Sequence, residues 1–194
     1  MTGDSRRTTD EHGHDVIDPL YVGIVTVSTS RAAAARDGEQ PADPGGDTIA
    51  NCFTDEGHEV VERTLVRDDF ATIRSAIREL IAQREIDVVV TTGGTGVTAD
   101  DVTPDAAASL FERDLPGFGE LFRMLSWEEV GTRAMASRAI AGIAADTPVF
   151  CLPGSQNACR TACEKLIVPE APHLAGLATA HRADVEEATL AAWE

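Results

Sequence analysis

The chain is almost without lysine. Lys165 is the only one beside fifteen arginines, and these 16 bases face 33 acids, giving a formal net charge of −17. A field of that sign repels nucleic-acid phosphates and anionic membrane surfaces, which excludes both as general partners. Acidic, lysine-poor surfaces stay solvated at high salt, so the balance reads as a halophile-like surface, with an acidic interaction surface as the alternative. An anionic substrate would then need local help from backbone N–H groups, arginine or a metal.

Long apolar runs are also missing. None approaches the roughly 20 residues of a membrane span. The opening residues, MTGDSRRTTDEHGHDVIDP, are polar and lack the apolar core of a secretory signal. The expectation is a cytoplasmic protein with a flexible leader over residues 1–18. Cysteine is sparse: Cys52, Cys151, Cys159 and Cys163 have no further Cys or His at zinc spacing, and are expected as reduced core thiols.

What is present is ample for one domain. The 194 residues are 43% hydrophobic, enough for a single core, placed over residues 19–180 with 181–194 as a tail. Residues 20–29, 58–66 and 86–92 are β-branched and apolar, as buried strands are. Between them, residues 47–57 and 68–83 carry apolar positions at helical spacing. Residues 30–46 read as a long polar loop. Helices are expected near 104–113 and 117–127, two further strands over 138–144 and 147–154, and helices over 156–167 and 169–180. Phe122, Leu125 and Trp127 are assigned to the core. The alternation predicts an α/β fold: a three-layer α/β/α domain whose central sheet is mostly parallel and carries an antiparallel strand.

In such a sheet, ligands bind beyond the carboxyl ends of the strands. There the sequence places Ser28 and Arg31, Asp68-Asp69, Gly93-Gly94-Thr95-Gly96 with Asp100-Asp101, and Gly154-Ser155. The glycines suit a loop that offers N–H groups to an anion. A Walker A loop is excluded, because the only lysine is far away. A dinucleotide fingerprint fits poorly, because the glycines follow the third strand and the helix starts only near Pro104. Thr103 is the expected cap of that helix and Asp69 of the helix after strand two. Carboxylates beside phosphate are reconciled by Mg²⁺, which takes one or two carboxylates together with phosphate oxygens. Asp68 and Asp101 are the candidates, and Arg31 and Arg138 are candidate phosphate cations. Asp100 has no assigned part.

TTGGTG, DVTPDA, PGFGE, FRMLSWEEVG, SRAIAG and PGSQNACRTA together resemble the molybdenum cofactor biosynthesis MoaB/MogA family, and the longer pieces are closer to the MoaB branch. The resemblance covers roughly residues 20–170. It implies a molybdopterin-binding-domain-like fold and a homo-trimer or homo-hexamer. It also implies a molybdopterin adenylyltransferase using ATP and Mg²⁺, with hand-off of the product to the molybdenum-insertion enzyme. The family's two essential acids correspond to Asp68 and Asp101, the latter two also being the implied metal ligands. Its phosphate and substrate contacts correspond to Ser28, Gly93, Gly94, Thr95, Gly96, Gly154 and Ser155. A non-catalytic molybdopterin carrier or scaffold of the same pathway is the rival expectation.

Overall fold

The computed structural model describes residues 5–191 other than residue 12, with side chains through residue 180. Its centre is a six-stranded sheet. The strands are β3 (Tyr21–Val27), β4 (Glu59–Val66), β5 (Val88–Thr92), β6 (Arg113–Asp114), β7 (Ile140–Ala144) and β8 (Thr147–Leu152), in the order β4-β3-β5-β8-β7-β6. The first four in that order run parallel, and β7 is antiparallel to both of its neighbours, β8 and β6. The expected antiparallel element is therefore the β7–β8 hairpin, with short β6 added at the edge.

Strand β5, VVVTT, is buried throughout, as a strand covered on both faces must be. Alternation along β3 divides the core. Val22 and Ile24 pack with Ile49, Phe53 and Phe122 on one face; Val25 and Val27 pack with Ile73, Ile77 and Leu80 on the other. Helices α2 (Pro44–Asp55) and α6 (Gln156–Ala162) cover the first face, and α3 (Phe70–Ile81) and α4 (Thr103–Ala108) the second. Cys151, Cys159 and Cys163 are buried, Cys52 is half-buried and all four are free. Burial pushes the Cys151 thiol up to about 12 and Cys159 up to about 11, so the core assignment holds.

Several expectations need correction. Much of the supposed 30–46 loop is helix: α1 spans Thr29–Arg36, capped by Ser28, and α2 begins at Pro44. The alanine run 32–35 gives this segment a helix propensity that its polar surroundings obscured. Thr103 does not cap α4. Val102 holds the cap position without a side-chain bond, and Thr103 is the first helical residue. Helices 156–167 and 169–180 are one continuous run in which a π-helical turn, Cys163–Ile167, joins α6 to α7 (Val168–Ala191). The backbone of residues 181–191, expected as a tail, continues α7.

Within the expected leader, β1 (Arg7–Thr9) and β2 (Asp15–Ile17) form an antiparallel hairpin. Arg6 binds the Asp87 carboxylate at 2.5 Å, and Arg7 reaches Thr179 Oγ1 at 2.6 Å on α7. These long-range partners are what a local reading of a polar segment lacks.

Helix α5 (Pro116–Val130) sends Phe118 and Phe122 into the core, but Trp127 is 59% exposed. Nine positions after Phe118, at about 100° per residue, Trp127 lies half a turn from the buried stripe. Leu121, Met124 and Val130 are exposed beside it. Among the described residues, no helix is long and apolar enough to cross a membrane.

Candidate functional site

Register brings the expected residues to one edge. Thr26 pairs with Thr92 and Thr92 with Leu152, so Ser28, Gly94 and Gly154 each lie two residues beyond aligned positions. Val27 pairs with Val66, which puts Asp68 beside Thr29. The chain runs from β3 out to β4, then back across to β5, so the edge contains the point where strand order reverses. Crevices at such points are where α/β sheets bind ligands.

The glycine loop follows β5 through a contact only glycine allows. Gly93 has φ +104°, and a Cβ there would collide with the Val27 carbonyl of β3. Gly94 has φ +64°, and a Cβ would collide with Thr103 Oγ1 and stand 2.9 Å from Asp68 Oδ1. At Gly96 a Cβ would stand 2.7 Å from Asp101 Oδ2. Both expected acids therefore lie against the loop, Asp68 at its start and Asp101 at its end.

The two are held alike. Asp68 Oδ2 accepts from the Thr29 backbone N–H at 2.9 Å and hydroxyl at 3.1 Å. Asp101 Oδ2 accepts from the Thr98 backbone N–H at 2.9 Å and hydroxyl at 2.6 Å. In each case Oδ1 keeps lone pairs to offer. The Thr98 hydroxyl holds the Asp101 carboxyl below the ordinary range against the opposing effect of burial, helped by the Thr98 and Gly96 N–H groups and the Arg138 charge. Asp101 is thus ionised at neutral pH. Asp69 separates cleanly from its neighbour: it caps α3, accepting from the Thr72 N–H at 2.9 Å and hydroxyl at 2.6 Å. Asp68 is the member of the pair at the loop.

Thr103 Oγ1 is buried and finds no hydrogen-bond partner. It crowds the same point beside Gly94 as Asp68 Oδ1. An orphaned hydroxyl next to a carboxylate is a hard oxygen donor set, which suits Mg²⁺.

A cavity of about 350 Å³ opens beside the loop, within the range of small-molecule sites. Gly94, Thr95, Gly96 and Asp101 form one wall, and Gly154 and Ser155 another. Ser155 caps α6, accepting from the Ala158 N–H at 3.3 Å, so its hydroxyl proton is available to a ligand. Ser28 and Asp68 are not on the cavity wall; they stand on the β3–β4 side of Gly94. A larger groove of about 490 Å³ near Phe118 and Leu174 is mostly apolar. It lacks the glycine loop and the carboxylates, so chemistry favours the smaller cavity.

The candidate cations are redistributed. Arg31 pairs with Asp43 at 3.8 Å. Arg138 clamps the loop itself: Nε donates to the Gly96 carbonyl at 2.8 Å, a second nitrogen to the Asp101 carbonyl, and a third to the Asp105 carboxylate at 3.1 Å. Arg133, which the sequence did not single out, is exposed on the cavity wall and enters none of the ion pairs among the described residues. Glu129, also missed, lines the cavity and accepts from Thr161 Oγ1 at 2.7 Å and from Asn157, tying α5 to α6. Both come from a helix and a 3₁₀ turn (Gly131–Ala136) that fold over the edge, which strand-end reasoning does not reach. Their only signal was position: Glu129 lies inside FRMLSWEEVG and Arg133 between it and SRAIAG. Asp100 acquires no role at the site.

Residues 23–173 match the family model described as a probable molybdopterin binding domain. The chain is 43% identical over 152 residues to molybdenum cofactor biosynthesis protein B of Escherichia coli K12, covering 78% of this chain and 85% of the other. A crystal structure of a molybdenum cofactor biosynthesis protein B superposes with TM-score 0.77 at 38% identity, covering 85% and 98%. The tungsten cofactor synthesizing protein MoaB from Pyrococcus furiosus gives TM-score 0.71 at 38% identity, covering 81% and 95%.

Proposed function

The chain belongs to the MoaB/MogA family of molybdopterin-binding domains, and from that premise we propose that it acts in molybdenum cofactor biosynthesis as a Mg²⁺-dependent molybdopterin adenylyltransferase. The observation that carries the reading is the pair of threonine-anchored carboxylates, Asp68 and Asp101, set at either end of an anion-binding glycine loop.

In this reading the Gly94 and Thr95 amides and Arg133 receive the phosphates of ATP, while the Gly96 N–H supports the Asp101 carboxylate. Asp101 Oδ1 and Asp68 Oδ1 would hold Mg²⁺, which supplies neutralisation of charge developing on the phosphoryl oxygens. Ser155 donates a hydrogen bond to the pterin substrate's phosphate or ring. An oxygen of molybdopterin's terminal phosphate attacks the α-phosphorus of ATP. The bond from that phosphorus to the bridging oxygen breaks, and pyrophosphate leaves. The attacking phosphate is already ionised at neutral pH, so the chain needs no strong general base. Rate comes from positioning and charge neutralisation. The exposed apolar face of α5 around Trp127 and Met124 supports assembly as a trimer or hexamer, and the product would pass to the molybdenum-insertion enzyme.

The test is to incubate the protein with molybdopterin, ATP and Mg²⁺ and assay adenylylated pterin and pyrophosphate. Asp101→Asn is expected to lower turnover at least ~100-fold with the fold unchanged, in line with removal of one electrostatic catalytic group. Pterin binding without ATP consumption by the unsubstituted protein would instead establish the carrier reading.

A further inference from the structure

A second group of donors lies outside this site and joins parts of the chain far apart in sequence. Asp10 and His14 lie on the turn between β1 and β2, and His173 lies on α7. One donor atom from each falls in a set whose members are within 4.8 Å of one another. His14 Nδ1 and His173 Nε2 are 3.2 Å apart, and Asp10 Oδ2 is 4.0 Å from His14 Nδ1. Two nitrogens each bound at 2.0–2.1 Å to a tetrahedral ion would stand about 3.3 Å apart. The observed separation matches that edge.

The His173 tautomer is also suited. His173 Nδ1 lies 2.7 Å from Glu170 Oε1. A carboxylate accepts, so Nδ1 carries the proton and Nε2, the atom facing His14, carries the lone pair. An outer carboxylate that orients an imidazole in this way raises its basicity toward a metal. The turn is fixed as well, since Asp10 Oδ1 accepts from the His14 backbone N–H at 2.8 Å. The His14 side chain is 52% exposed, so an ion can enter from solvent. The hairpin backbone sits close on α7, where a Cβ at Gly176 would collide with the Asp15 carbonyl. The donors therefore start near their final places.

We propose that Asp10, His14 and His173 bind one divalent cation of the zinc class, with water completing the tetrahedron, and that the ion fastens the β1–β2 hairpin to α7. Two imidazoles and one carboxylate select zinc, cobalt or nickel over magnesium and calcium, which prefer oxygen donors. Without the ion, His14 Nδ1–H donates to His173 Nε2 at 3.2 Å; on binding, that proton passes through solvent to Nε2 of the exposed His14 ring, which frees Nδ1 for the metal.

The experiment titrates chelator-treated full-length protein with Zn²⁺ by calorimetry and with Co²⁺ by visible absorption. The expected result is one saturable ion per chain and a tetrahedral cobalt spectrum without a thiolate charge-transfer band. His14→Ala and His173→Ala should each weaken binding at least tenfold, and Glu170→Gln by about 10–100-fold. Cys52→Ser should bind as the unsubstituted protein does. Zn²⁺ should also slow amide exchange across residues 7–17. All of the substituted histidine and glutamate side chains are at least partly exposed, and circular dichroism checks that each variant is folded. Unchanged affinity in both histidine variants and in Glu170→Gln would overturn the proposal, as would a thiolate band or no saturable binding. The titration involves neither ATP nor pterin, so its outcome is separate from that of the adenylyl-transfer assay.

Discussion

Arg138→Ala should loosen the glycine loop without unfolding the domain. The side chain is 37% exposed, yet it makes three kinds of bond: to the Gly96 carbonyl at 2.8 Å, to the Asp101 carbonyl and to the Asp105 carboxylate at 3.1 Å. Each bond from a charged donor to a carbonyl is worth roughly 1.5–3 kcal/mol. The exposed pair with Asp105 adds about 0–1 kcal/mol. Solvent can replace part of this, so a local loss of roughly 2–4 kcal/mol is expected, confined to residues 95–102. Hydrogen exchange should show faster opening there, while the urea midpoint of the whole domain shifts little. Turnover should fall with it, because the Asp101 carboxylate is carried by the loop that Arg138 pins. Arg138→Lys should recover only part, since one ammonium cannot make three divergent bonds. If loop protection were unchanged while ATP affinity collapsed with a steep salt dependence, Arg138 would be a phosphate ligand and the clamp argument would fail.

Three further outcomes follow from the geometry. Gly93→Ala must place a Cβ against the Val27 carbonyl at φ +104°; a cost of at least ~2–3 kcal/mol is expected, read as a lower urea midpoint, and near-neutral stability would refute the close-approach reading. The folded-state pKa of Asp101 lies below its ordinary value, so its stabilisation is present above the unfolded value of about 4 and is lost as pH falls through the lower folded value. Thr98→Val removes the largest cause, and should cost about 1 kcal/mol near neutrality, a cost that shrinks as pH falls through the folded-state pKa of Asp101, measured as urea midpoints at decreasing pH. If the chain assembles through the exposed face of α5 as proposed, light scattering should give a multiple of the 20.6 kDa chain mass and Trp127→Glu should bring it toward the single chain; a single-chain mass for the unsubstituted protein, or a multiple unchanged by the substitution, would refute that assembly.

The sequence by itself determined the elements whose physics is local and the chemistry that sits at their ends. The apolar β-branched runs could only be buried strands, the periodic run with Ile73, Ile77 and Leu80 could only lay one face on a sheet, and parallel strands must deliver their following residues to a common edge. Hence Gly93–Gly96, Asp68, Asp101 and Ser155 were legible as neighbours. What tertiary structure decided is what depends on partners distant in sequence. The N-cap preference already pointed to Asp69 as the cap and left Asp68 for the site; the partners that hold each in place are tertiary for Asp68, which Thr29 claims from another strand end, and local for Asp69, which the Thr72 N–H claims. Arg138 looked like an anion ligand until three acceptors around the loop used its donors. Arg133 and Glu129 enter only because α5 and the turn after it fold over the edge, and Trp127 faces solvent because Phe118 and Phe122 take the buried stripe. The hairpin that brings Asp10 and His14 to His173 is polar and short, so no periodicity announces it; the long-range bonds of Arg6 and Arg7 build it into the fold.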